Sequence, residues 1–228
     1  MGLGIVIWGC GGLAREVNEL CRELGWPVAG FLDERPEMRG RTVDGVPVLG
    51  DLPDIAARRG QVEVLCAGVG DPELRRRFWQ RTREAGHAIP PPVIHPRTRV
   101  PASAEVGAGS VVAAGAVLTV GVRVGAHVVL NFNTTAGHDT RIGEFATIAP
   151  GVNLSGGVLI GEGAYIGTNA AVREKIHVGA WARVGACAFV AQDVPPGAVY
   201  PGAAVDYAAR WRPTGTPRAG GTAADNGK

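Results

Sequence analysis

His138 and Asp139 are the adjacent pair in this 228-residue chain whose side chains could move a proton at neutral pH. A free imidazole titrates near pH 6.5, and a carboxylate beside it favours the imidazolium that forms when it accepts a proton. A lone surface histidine is usually just solvated, so its setting decides. Stepping by six from Ile94 to Val190, sixteen of seventeen positions are Val, Ile or Leu, and the exception is Ala136, two residues before His138. Asn131 stands one position after an aliphatic residue, where eight of the other repeats carry glycine. His138 therefore falls on the third position of its unit, at or near a corner and pointing outward, next to a break in an otherwise regular pattern.

A second constellation opens the chain. Gly9-Cys10-Gly11-Gly12 follows the apolar run Ile5–Trp8 and precedes a segment with helical periodicity. Glycines between a strand and a helix let backbone approach a phosphate at the helix N-terminus. Asp33 ends the next strand, where a ribose-binding acid would lie. That arrangement suits a nicotinamide cofactor or a sugar nucleotide. About ninety residues, with no catalytic domain for hydride chemistry, disfavour an oxidoreductase. A zinc hydratase built on the repeat needs three convergent histidines. His95, His127, His138 and His177 lack the close pair plus third that such a site requires, and no metal is expected.

The elements that must hold these groups follow two grammars. Across residues 1–92, strands at 5–8, 28–32 and 62–67 alternate with helices after Gly12, from Asp51 to about Arg58, and from Pro72 to about Ala85. This predicts an α/β Rossmann-like domain with a small parallel sheet and helices on its faces. Leu13, Val17, Leu20, Cys21 and Leu24 recur at helical spacing, and Gly25 sits at the C′ position. Pro90-Pro91-Pro92 reads as a linker. From residue 93 to about 207 the six-residue period takes over. The position four after each aliphatic residue is Ala, Ser, Thr, Val or Ile, so each unit gives the interior one large and one small group. This is a parallel β-helix of hexapeptide repeats, three sides to an 18-residue coil, with a small residue at each bend. Residues 208–228 lack apolar periodicity and are expected to be disordered.

These segments resemble the sialic acid O-acetyltransferase and UDP-4-amino-sugar N-acetyltransferase family of the hexapeptide-repeat superfamily. The resemblance is carried by NFNTTAGHDTRIG from Asn131 to Gly143, Pro150-Gly151-Val152, LIGEGAYIGTNA to Ala170, the glycine turn, Phe31-Leu32-Asp33-Glu34 and Ala67-Gly68. It implies a left-handed β-helix, a homotrimer, and acetyl transfer from acetyl-CoA to a sugar, a UDP-linked 4-amino sugar first and a sialic acid or other sugar hydroxyl second. In that family the histidine matching His138 is the general base and the acid matching Asp139 raises its basicity. Thr147, Thr168 and Ala186 match acetyl-CoA contacts, although Thr147 departs from a histidine associated with that position. Gly12, Leu13, Ala14, Asp33, Glu34 and Gly68 match contacts to the nucleotide sugar, Leu13 in place of a frequent histidine, and Asn131 joins the substrate-binding set. Cys187 reads as structural. A non-catalytic scaffold is the reading from another class, and lack of CoA release with any amino sugar would favour it.

Composition bounds the rest. Hydrophobic residues are 46% and charged residues 19% of the chain, with a net charge of +2, so neither nucleic acid nor an anionic membrane is an expected partner. No apolar run approaches a membrane span. Arg75, Arg76, Arg77, Arg81 and Arg83 read as a solvated helix face. Cys10, Cys21, Cys66 and Cys187 form no CxxC, and reduced, buried thiols in a cytoplasmic protein are expected.

Overall fold

The computed structural model describes residues 3–202. The glycine turn breaks the chain between β1 (Gly4–Trp8) and α1 (Gly12–Glu23), and β2 (Val28–Leu32) returns parallel to β1. β3 (Thr42–Val43) and β4 (Val46–Gly50) form a hairpin, and β5 (Val62–Leu65) completes a sheet of order β3-β4-β2-β1-β5. The periodicity reading omitted that hairpin. Its signal is the dipeptide Asp44-Gly45, whose φ angles of 48° and 78° are the paired left-handed values of a tight two-residue turn. β3 runs antiparallel to β4, so the sheet is mixed rather than wholly parallel. The expected helix after Asp51 is 3₁₀ over Leu52–Arg58, with a capping box between Asp51 and Asp54.

From Val93–Ile94 onward, two-residue strands build three parallel sheets of seven, five and five strands. The 18-residue period is visible in the register, with Val129 opposite Thr147, Ala136 opposite Leu154 and Ile142 opposite Ile160. The aliphatic position points into the apolar interior of the prism, as do the small residues four places on, such as Ala146, Val152 and Ala164. The bend, however, is not at the glycine-rich position one after the aliphatic. The left-handed φ falls two residues later, at Asn133, Asp139, Phe145, Gly151, Gly157 and Asn169. Glycine at the earlier position answers a different demand. A Cβ on Gly137 would meet the backbone of Ser155 and Gly156 on the next coil at 2.7 Å.

The two parts are joined along one face and one corner of the prism. The outward residues Val93, Val111 and Val129 of the seven-stranded sheet share a core with Ala14, Val17, Leu20 and Cys21. α2 (Pro72–Glu84) opens with Asp71 accepting from the Leu74 amide at 2.9 Å and with Pro72 in its first turn. It packs on a prism corner where Trp79 meets the stacked rings of His127 and Phe145. Here the reading of a solvated arginine face needs correction. Arg75 is fully buried, and its guanidinium donates to the carbonyls of Val69, Gly70, His127, Phe145 and Ala146 and to Thr147 Oγ1. Burial lowers its pKa to about 10, which leaves it charged at neutral pH. Arg76 stacks over Trp181, and Arg77 and Arg81 pair with Glu34. Three thiols are buried as expected, while Cys187, at a left-handed corner, is exposed. The expected end of the β-helix near residue 207 and the tail 208–228 lie outside the described residues. Among the described residues no helix is long and apolar enough to cross a membrane.

Candidate active site

His138 projects from the corner between the two five-stranded sheets, and its side chain is two-thirds exposed. Its Nδ1 lies 2.9 Å from Asp139 Oδ2. Asp139 reaches back to it because the left-handed φ of 61° turns the chain directly after the histidine. A carboxylate only accepts, so Nδ1 carries the hydrogen and Nε2 presents its lone pair outward. That is the geometry of a base held in one tautomer.

The other candidates gather on a different edge. Phe132, Pro150, Thr168 and Ala186 follow one another at 18-residue intervals along the corner between the seven-stranded sheet and the next, with Thr168 and Ala186 exposed. Beside this row a groove opens between α1 and the β-helix. One cavity of about 240 Å³ is lined by Leu13, Leu20, His95, Val129, Asn131 and Phe132. An adjoining one of about 430 Å³ is lined by Leu13, Gly70, Asn131, Thr147, Pro150 and Arg183. Leu13 and Asn131 belong to both. The Asn131 carboxamide is fixed by accepting from the Phe132 amide at 2.7 Å. Thr147 borders the groove but is buried, its hydroxyl donating to Gly70 O at 2.7 Å and accepting from Arg75 at 2.8 Å. That hydroxyl is thus committed to joining the two parts of the chain.

At the glycine turn, α1 begins without a side-chain cap, and a Cβ on Gly11 or Gly12 would find open space. The first-turn amides are therefore open to an anion. Ala14 is buried and serves the core. Gly68 is also buried, and a Cβ there would collide with Trp8 O and with Ile7 Cγ2 at 2.5 Å, so packing against β1 already requires glycine. Asp33 accepts from Arg35 through both oxygens at 2.9 Å and from the Cys10 thiol at 2.9 Å. The bonds from Arg35 lead in holding its carboxyl at about 2, while burial first and the Asp33 hydrogen bond second push the Cys10 thiol up to about 11. Glu34 is held by Arg77 and Arg81. The two acids and Arg35 rim a cavity of about 210 Å³ that also touches Gly9, Val69 and Phe78. Arg77 and Arg81 gave no sequence signal for their pairing with Glu34, because it is set by tertiary packing across 43 and 47 residues, whereas Arg35 lies only two residues from Asp33.

A full side of the prism lies between His138 and the groove that holds Asn131.

The chain was compared with known proteins. Residues 4–82 match the PglD N-terminal domain. No curated protein matches. Among solved structures, the acetyltransferase domain of PglB from Neisseria gonorrhoeae, in complex with acetyl coenzyme A, is 34% identical over 89% of this chain and 97% of that one, with a TM-score of 0.81. PerB from Caulobacter crescentus, in complex with CoA and GDP-perosamine, is 32% identical over 87% and 94%, with a TM-score of 0.79. WeeI from Acinetobacter baumannii is 25% identical over 87% and 96%, with a TM-score of 0.78. With its glycine turn between β1 and α1, its left-handed coils and this likeness over nearly the whole length of each relative, the chain belongs to the sugar N-acetyltransferases of the hexapeptide-repeat family.

Proposed function

We propose that this enzyme moves the acetyl group of acetyl-CoA onto the amino group of a nucleotide-linked amino sugar, with His138 as general base. The observation that carries the reading is the His138–Asp139 pair, whose free Nε2 faces outward from a prism edge. The imidazole takes the proton from the amine as its nitrogen attacks the thioester carbonyl. The thiolate of CoA leaves as the tetrahedral intermediate collapses, and no acyl-enzyme is needed. The nucleoside diphosphate lies at the open start of α1 beside Gly12, and the pantetheine arm runs along the row of Pro150, Thr168 and Ala186. Uridine diphosphate is the first choice of nucleotide, while the GDP-perosamine held by PerB makes guanosine diphosphate the second to assay. In this reading the enzyme is a homotrimer in which His138 of one subunit faces the groove of the next, because a single chain keeps them apart.

The test is His138→Ala, assayed by CoA release from acetyl-CoA with UDP- and GDP-linked amino sugars. The side chain is exposed, so the melting temperature and acetyl-CoA affinity hold, and turnover falls by roughly 10²–10⁴-fold. Asp139→Asn gives a smaller loss. Retention of more than about a third of the activity in His138→Ala would move the base elsewhere. Sedimentation equilibrium should return three chain masses, and a stable, active monomer would remove the shared site.

A further inference from the structure

Gly156 lies one coil after His138, 18 residues on, in the same row of the same corner. Two familiar reasons for glycine are absent there. Its φ is outside the left-handed region, and a Cβ built on it meets no backbone among its nearest neighbours. What that Cβ meets is the imidazole of His138, overlapping Nε2 and lying 2.6 Å from Cε1 and 2.8 Å from Cδ2. The fold itself accepts a side chain at this point of the repeat. Of the seventeen residues at the third hexapeptide position, from Pro96 to Gln192, Gly156 alone is glycine. On its own corner the row reads Val120, His138, Gly156, Glu174, Gln192.

We infer that Gly156 is a positioning residue, the flat seat on which the His138 ring rests so that Nδ1 meets Asp139 and Nε2 points at the acceptor amine. This rests on the reading of His138 as the base. The seat is itself rigid, since Gly157 N donates to His138 O at 2.7 Å and Lys175 N donates to Gly156 O at 2.9 Å. A methyl group at 156 cannot displace that backbone. It displaces the end of a side chain with two torsions, so the ring swings away while the coil stays in place. A base displaced by about 1 Å can lose on the order of 10²-fold in rate.

The experiment is a cycle of Gly156→Ala, His138→Ala and the double variant, with kcat, both KM values and melting temperature measured for each. Gly156→Ala should lower kcat by about 10- to 100-fold with the KM for acetyl-CoA within twofold and melting unchanged. In the His138→Ala background the same substitution should change kcat by less than twofold, because no ring remains to displace. A Gly156→Ala enzyme within twofold of wild type, beside an impaired His138→Ala, would overturn the seat and leave the base intact. An active His138→Ala would overturn the base, and the seat with it. Equal losses in both backgrounds, or a lowered melting temperature, would show that Gly156 serves the coil and not the histidine.

Discussion

Replacing Arg75 with methionine should loosen the join between α2 and the β-helix more than any surface change on that helix. The thioether side chain keeps the apolar stem and removes the five donors of the guanidinium. The carbonyls of Val69, His127 and Phe145 accept from Arg75 and from no other group among the described residues. Each acceptor left buried and unpaired costs about 1–3 kcal/mol, which for three gives an upper range near ~9 kcal/mol. Relaxation of the corner and entry of water bring the expected loss to about 3–5 kcal/mol, the range seen when a buried ionic network is broken. For a fold of about 200 residues each kcal/mol moves the melting temperature by roughly 2–4 °C, so a fall of about 6–20 °C is expected. Differential scanning calorimetry at neutral pH measures it. Arg75→Lys should fall between, because a compact ammonium reaches only some of these acceptors. Arg77→Met, on the exposed side of α2, should melt within about 2 °C of wild type and serves as the control. If Arg75→Met also melts within about 2 °C, the carbonyls find other partners and the network is not what joins the two parts.

Three further outcomes are expected. Gly12→Val should raise the KM for the nucleotide sugar and leave that for acetyl-CoA nearly unchanged, since two methyls would fill the open space at the start of α1; equal effects would point to another site. Iodoacetamide at pH 8 should modify Cys187 alone among four thiols, as read by intact mass, because burial raises Cys10 to about 11 and Cys21 and Cys66 to about 12. Asp33 is held at about 2 in the folded chain, below its unfolded value near 4, so its contribution to stability is whole above pH ~4 and drains as pH falls toward ~2. Arg35→Ala should flatten that segment of the acid-unfolding curve, and an unchanged curve would mean the pair is not intact in solution.

What could be read in advance was whatever repeats or lies close in sequence. The period of six fixed the prism and its core, and the break at Ala136 singled out His138, because a regular background makes one irregular residue visible. The corner was legible at or near the third position, beside His138, and the left-handed turn falls one residue on, at Asn133 or Asp139, side chains that tolerate that conformation; the glycines one residue past the aliphatic lie where the next coil crowds the backbone. Arg75 could not be told from Arg76 or Arg77, since which side of α2 meets the β-helix depends on contacts 52 to 72 residues away. Gly156 was open to discovery by writing the chain in rows of eighteen, which sets it directly beneath His138. The Asp44-Gly45 turn was a local signal that the search for periodicity passed over.

A stack of parallel coils has no natural end, and its last ladder offers a free row of amides and carbonyls on which another copy could grow into a filament. The distribution of proline answers that hazard. Between Pro101 and Pro195 the chain holds one proline, Pro150, while Pro90, Pro91 and Pro92 stand just before the first coil, Pro96 and Pro101 lie in it, and the last described coil carries Pro195, Pro196 and Pro201. Proline brings no amide hydrogen to a ladder. The last coil also falls out of step, with Val194 opposite Val178 and Val199 opposite Arg183, an offset of sixteen in place of eighteen. A copy pairing with the last described coil would meet missing donors and a mismatched rung together, so proline and register oppose extension of the stack at that coil.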